Sequence, residues 1–254
     1  RGQLAPEHAQ GWQTVSASNL PFNPADHAPH ALTADEIKTV IADFAESAKR
    51  AVDAGFDLIE LHAAHGYLLH QFMSPLSNQR SDEYGGSFEN RIRLTLEVFQ
   101  AMQDAVPAGY PIGVRLSATD WMDDAASWDV ESTVGLSKAL EQLSAAYIHV
   151  SSGGLHIEQK IDLHAGYQVP FAAAVKQELS IPVIAVGLIT DALQAEGILH
   201  YEQADAIGLA RAILYDPRWP WHAAAELGET VAVAPQYLRC QPHGLRDLFK
   251  PFKR

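Results

Sequence analysis

Sulfur, positive charge and long apolar runs are all scarce in this 254-residue chain. Its single cysteine, Cys240, excludes an intrachain disulfide and argues against a cysteine-based zinc site. One cysteine suits a reducing compartment, so a cytoplasmic location is the expectation. No apolar stretch approaches the ~20 residues that a membrane-spanning helix needs, and residues 1–8 carry no apolar signal core. The 18 basic residues face 31 acidic ones, a net charge of −13, which argues against a nucleic-acid or anionic-membrane partner. No GxGxxG dinucleotide fingerprint, internal repeat or low-complexity block is found. Apolar residues are plentiful: at 47% of the chain they can fill a sizeable core.

The apolar residues fall in a repeating order. Residues 1–32 are rich in Pro, Asn, His and Ala without a sustained period, and read as an irregular excursion. Thr33-Ala-Asp-Glu36 has the form of a capping box, and Ile37, Val40, Ile41, Phe44, Ala45 and Ala48 follow at helical spacing until Gly55. Strands are expected at 57–62, 111–117, 146–151, 181–186 and 205–210, with helices at about 90–106, 130–143, 168–179, 191–200 and 220–227. Strands alternating with helices predict an α/β fold with a parallel sheet covered by helices. Residues 33–234 are read as these units of a single domain, and 235–254 as a tail without an assigned role. A length near 250 residues is typical of a (β/α)8 barrel, yet such a barrel needs eight strands and five are visible.

The most specific stretch is 62–91. It opens as His62-Ala-Ala-His65-Gly66-Tyr67, directly after the apolar strand, and runs through Tyr84-Gly85-Gly86 to Asn90-Arg91. Strand ends in α/β chains are where chemistry is commonly held. Imidazole N–H groups can polarise a carbonyl, and a phenol, with an ordinary pKa of about 10, can supply a proton. The two histidines could equally be structural. They could also be ligands of a metal-assisted barrel hydrolase, for which no HExxH helix or cysteine cluster supplies the rest of the site. Arg115 lies within a strand, where an inward guanidinium needs an anion or an electron-rich partner, and Glu60 is the ion-pair candidate.

The stretch 62–91 resembles the flavin-dependent old yellow enzyme family of ene-reductases. The likeness continues through Arg115, Ser151-Ser152-Gly153, Gly166-Tyr167-Gln168-Val169, Ala185-Val186-Gly187 and Ala210-Arg211. It extends to Gln236-Tyr237-Leu238-Arg239, a motif near the C-terminus of a bacterial subgroup. The resemblance implies a (β/α)8 TIM barrel of which this chain carries the last five strand–helix units. On that reading the first three units are truncated or supplied by another segment, and the fragment by itself could be non-catalytic. It implies FMN as cofactor and NAD(P)H as hydride donor, with reduction of activated C=C bonds of α,β-unsaturated carbonyl compounds. His62 and His65 would hold the substrate carbonyl oxygen, and Tyr67 would protonate the α carbon. Arg115 would lie beside the flavin ring, Ser151 would approach the FMN, and Gly187, Ala210 and Arg211 would form the phosphate site. Many family members carry Gly-Arg where this chain has Ala210-Arg211. Arg239 would reach into a neighbouring subunit's active site, which implies a dimer-based homo-oligomer. No metal is expected.

Overall fold

The computed structural model describes residues 11–252. Two short strands, β1 (Val15–Ser16) and β2 (His30–Ala31), pair in parallel inside the segment expected to be irregular; residues 1–10 of that segment lie outside the described residues. Helix α1 (Ala34–Asp53) starts at the expected box: Thr33 Oγ1 accepts the Glu36 N–H, and the Glu36 carboxylate accepts the Thr33 N–H at 2.7 Å.

The five expected strands are all present, as β3 (Ile59–Ala63), β4 (Ile112–Ser117), β5 (Ile148–Ser151), β6 (Val183–Val186) and β7 (Ala206–Gly208). They form one parallel sheet in sequential order. Between them run α2 (Leu68–Met73), α3 (Phe88–Ala105), α4 (Val130–Gln142), α5 (Val169–Lys176) and α6 (Ala192–His200). Two differences lie in the stretch 62–91. The six residues of α2, inside the stretch read as a continuous loop, are too few to stand alone as a helix. They form because Leu69, Phe72 and Met73 are buried in the core. Helix α3 starts at Phe88, two residues before the expected position 90, because the Ser87 hydroxyl accepts the Asn90 N–H and caps it. Asn90 and Arg91 instead brace the loop, through bonds to Gly85 O and Met73 O.

After β7 come α7 (Arg211–Tyr215) and α8 (Trp219–Leu227), where one helix was expected. The described part of the expected tail, 235–252, is also more ordered than a tail. It makes a 3-10 turn over Pro235–Cys240, and β9 (Phe249–Pro251) pairs in parallel with β8 (Val231–Val233). Trp221 of α8 stacks edgewise on Tyr237 and Phe249 and lies under the Arg218 guanidinium, which explains why this aromatic segment folds back.

The two faces of the main sheet differ in chemistry. Leu61, Ala63, Val114, Leu116, Ile148, Val150, Val183 and Ala185 are buried with Ile37, Leu94, Val98, Leu136, Leu140 and Val175 from the helices. Each fully buried Leu, Ile or Val contributes about 1.5–3 kcal/mol of transfer free energy, so this face holds the fold. The alternate positions, on the inner face, carry Glu60, His62, Gly113, Arg115, Ser117, His149 and Ser151.

Among the described residues no further strand pairs with the outer edges of β3 and β7. Phe56 and Leu58 are exposed just before β3, and Leu214 and Tyr215 in α7 just after β7. Open parallel edges beside apolar surface favour association. The 254-residue chain by itself is therefore expected to self-associate and to bind a hydrophobic dye. Light scattering after size exclusion, together with thermal unfolding, checks this; a monodisperse, cooperatively unfolding monomer would contradict it.

Candidate active site

The end of β3 turns back on itself through two left-handed residues in succession, His65 at φ 59° and Gly66 at φ 70°. A non-glycine residue in that region costs roughly 1–3 kcal/mol and persists where its surroundings over-determine it. Here they do. The His65 N–H donates to Ser117 Oγ at 2.9 Å, and His65 Nε2 lies 2.7 Å from Ser151 Oγ. The Gly66 N–H donates to His70 Nδ1 at 2.9 Å, and Gln71 Nε2 donates to Gly66 O at 2.8 Å. A Cβ on Gly66 would stand 2.3 Å from Gly154 O, so only glycine fits there. The turn groups the three side chains singled out in the sequence. The ring of His62 is 5.2 Å from that of His65 and 5.5 Å from that of Tyr67, which is 57% exposed.

Arg115 stands opposite His62 in the ladder and opposite His149 on its other side. The expected pair with Glu60 gives way to another arrangement: Glu60 takes the His149 Nδ1 contact at 2.9 Å. Burial pushes the Glu60 carboxyl up, but the His149 hydrogen bond and charge, with Arg115, outweigh it and hold it below the usual range. Tyr147 is pushed up to about 12 by burial and then by the Glu60 charge and hydrogen bond. Burial, then the Arg115 charge, holds His62 below the ordinary imidazole value, so it is neutral at neutral pH. Arg115 Nε is buried with no hydrogen-bond partner. A buried N–H left unpaired costs about 1–3 kcal/mol, so this guanidinium suits an electron-rich acceptor beside it.

Ser151 closes β5, Gly187 follows β6 and Ala210-Arg211 follow β7, at the same end of the sheet because Val186 pairs with Gly208. Gly187 has φ 124°, and a Cβ there would lie 2.5 Å from Gln168 Nε2. Gln168 is buried; its Nε2 donates to Val186 O at 2.8 Å and its Oε1 accepts from Ser152. Arg211 opens α7 and is exposed. Arg239 is exposed on the 3-10 turn, outside the five-stranded sheet. A cavity of about 650 Å³ borders Gly66 and Tyr67 but neither histidine of the pair; Trp12, Leu20 and Phe22 form its far wall. Among the described residues no group of three or more His, Cys, Asp or Glu side chains could hold a metal ion, so the hydrolase alternative finds no ligand set there.

Sequence reasoning missed His70, Asp120 and the Glu60–His149–Tyr147 contacts, and it quoted Gln168 in a motif without giving it a role. A signal for His70 was present: it is the one polar ring inside the apolar run Leu68-Leu-His-Gln-Phe-Met73.

Residues 5–229 match the model of the NADH:flavin oxidoreductase / NADH oxidase family. The chain belongs to that family. It is 43% identical over 227 residues to an NADPH dehydrogenase of Geobacillus sp. (strain WCH70), covering 89% of this chain and 65% of that relative. It is 45% identical over 251 residues to an NADH:flavin oxidoreductase of Gibberella zeae, covering 92% of this chain and 60% of that one. The chain thus spans just under two thirds of the length of these curated relatives. Among solved structures, morphinone reductase in complex with tetrahydroNAD superposes with a TM-score of 0.70 at 28% identity, over 87% of this chain and 61% of that one. A 2-naphthoyl-CoA reductase shares the fold with a TM-score of 0.77 at 22% identity, over 86% of this chain and 34% of that one. The parallel strand–helix units are accordingly units of a (β/α)8 barrel, with the inner face of the sheet directed to the barrel interior.

The depressed His62 generates a pH prediction. Its contribution to stability should be complete above the unfolded value of about 6.5. It should be lost as pH falls through the lower folded value, because the unfolded chain takes up the proton first. NMR titration of the His62 ring, alongside thermal unfolding between about pH 5.5 and 7.5 (about one unit to either side of the ordinary value), measures both. A ring that titrates at or above the ordinary value would refute the assignment.

Proposed function

We propose that this chain is the catalytic part of an FMN-dependent NAD(P)H oxidoreductase that reduces activated C=C bonds in α,β-unsaturated carbonyl compounds. The observation that carries the reading is the grouping of His62, His65 and Tyr67 at one strand end, beside a half-buried Arg115 whose buried Nε has no hydrogen-bond partner. When bound, FMN would supply the ring that takes a hydride from NAD(P)H and passes it to the alkene.

The residues present suit that group. Arg115 offers its half-buried guanidinium to the electron-rich edge of the ring and to the negative charge of the reduced form. Ser151 lies at the end of β5 on the same face, and Gly187, Ala210 and Arg211 would hold the phosphate through backbone N–H groups and one guanidinium. Alanine at 210 keeps its N–H, so the site does not depend on a glycine there.

His62 and His65 would donate N–H bonds to the substrate carbonyl oxygen, where negative charge builds as hydride adds at the β carbon. A neutral His62 serves as such a donor without a competing charge. If the Ser151 hydroxyl donates to His65 Nε2, the ring proton sits on Nδ1, the donor this role requires. Tyr67, exposed and next to His62, would give its phenolic proton to the α carbon. Arg239, exposed outside the sheet, would reach a neighbouring copy's site in a dimer-based assembly. The strand–helix units over 33–234 would form one domain with the missing barrel partners, and the single cysteine suits a reducing cytoplasm. Among the described residues no helix is long and apolar enough to cross a membrane.

Cofactor analysis and three sets of variants test this reading. The cofactor released from the purified protein should be FMN, and Arg211→Ala should weaken its retention about tenfold or more, as loss of a charge-assisted hydrogen bond implies; FAD, or no flavin, would sink the assignment. Tyr67→Phe should slow flavin reoxidation by an enone about 100-fold while flavin reduction by NAD(P)H changes little. Equal effects on both half-reactions would leave Tyr67 a shaping residue only. The His62→Ala, His65→Ala double variant should likewise lose enone reduction with flavin still bound.

A further inference from the structure

We propose that His70 and Asp120 are positioning residues for this site: a buried imidazole–carboxylate pair that locks the turn presenting His65 and Tyr67. The use of the turn rests on the function proposed above; the lock itself does not.

Helix α2 is otherwise apolar on its buried side, yet it spends one fully buried position on His70. A ring with no exposure needs a partner at each nitrogen. Its Nδ1 accepts the Gly66 N–H at 2.9 Å, reaching back past the first turn of its own helix. A nitrogen that accepts carries no proton, so the neutral ring holds its proton on Nε2. Nε2 faces Asp120 Oδ1 at 3.0 Å, a close polar contact whose angle falls short of a hydrogen bond. Asp120 is also fully buried. Its Oδ2 accepts from Ser74 Oγ at 2.6 Å and from the Trp128 N–H at 2.8 Å. Trp128, buried in turn, donates through Nε1 to Thr133 Oγ1 of α4 at 2.7 Å. The pair therefore ties the turn after β3 to the connection between β4 and α4.

The contact falls where it has most leverage. Gly66 stands between His65 and Tyr67 and is left-handed, and its N–H direction is set by that conformation. Taking the N–H at a fixed point holds the His65–Gly66 peptide, directly after His65 and one residue before Tyr67. His70 is too deeply buried to meet a substrate, so it acts through the turn alone.

The test compares His70→Asn with His70→Leu in the flavin-loaded protein. The asparagine side-chain oxygen can accept the Gly66 N–H; leucine fills similar space with no acceptor. One readout is hydrogen exchange of the Gly66 amide without substrate. The other is single-turnover flavin reoxidation by an α,β-unsaturated cyclic ketone, set against flavin reduction by NADPH. Leucine should speed Gly66 exchange about tenfold or more and slow reoxidation by a similar factor, with reduction little changed, and asparagine should restore both. Wild-type exchange and reoxidation in the leucine variant, or loss of reoxidation that asparagine does not restore, would overturn the proposal, as would faster exchange with unchanged reoxidation. Should the leucine variant fail to fold, His70→Met, which also offers the Gly66 N–H no nitrogen or oxygen acceptor, takes its place with the same expected outcome. If Tyr67→Phe also leaves reoxidation unchanged, the proposed function is at fault, and the Gly66 exchange rate still decides whether the lock exists.

Discussion

Backbone meets backbone where the turn after β3 crosses the segment after β5, and the site depends on that contact. A Cβ on Gly66 would strike Gly154 O at 2.3 Å, and one on Gly154 would strike the His65 backbone at 2.6 Å. With both side chains absent, the two loops close to a distance at which Ser117 and Ser151 bridge them. Ser117 accepts the His65 N–H and donates to Gly153 O; Ser151 meets the His65 ring. Two left-handed residues in a row are unfavourable for a free peptide, so the turn exists because β4 and β5 hold it. The positions of His65 and Tyr67 follow from the packing of three strand ends rather than from local preference.

The inner face of the sheet is an electrostatic arrangement with one fixed charge. That charge is the Arg115 guanidinium, and the neighbouring groups on the same face adjust around it. His62 is held neutral, while Glu60 is held ionised by His149 and Arg115 despite its burial. A half-buried cation that keeps one buried N–H unpaired is costly in isolation and useful next to a group that gains negative charge. The carboxylate nearest in sequence logic, Glu60, is already engaged by His149, which leaves the guanidinium available to face the barrel interior.

The strands were legible because their outer faces are apolar at period two and their ends carry Gly, Ser or Pro, so all five and their order could be read directly. Thr33 and Glu36 marked the start of α1 for the same local reason. What escaped depended on distant partners. Helix α2 needs the core contacts of Phe72 and Met73, β1 and β2 are two residues each, and β9 forms because Trp221 collects Tyr237 and Phe249. At the site, the motif carried His62, His65, Tyr67 and Arg115, whereas His70 is separated from Asp120 by 50 positions and looked like one more polar residue in a loop. Local spacing does not encode such pairs.

Gly113 illustrates a different kind of coupling. A Cβ there would fall 2.2 Å from the Tyr147 ring, and one on Gly208 would crowd His149 Nε2 at 3.1 Å. Each glycine is small because a ring on another strand occupies its side-chain volume. Positions 113 and 147 therefore behave as one variable: any side chain at 113 first requires a smaller one at 147. Diversification of this barrel floor succeeds by exchanging both members of such a pair at once, and single-site libraries at 113 will return glycine.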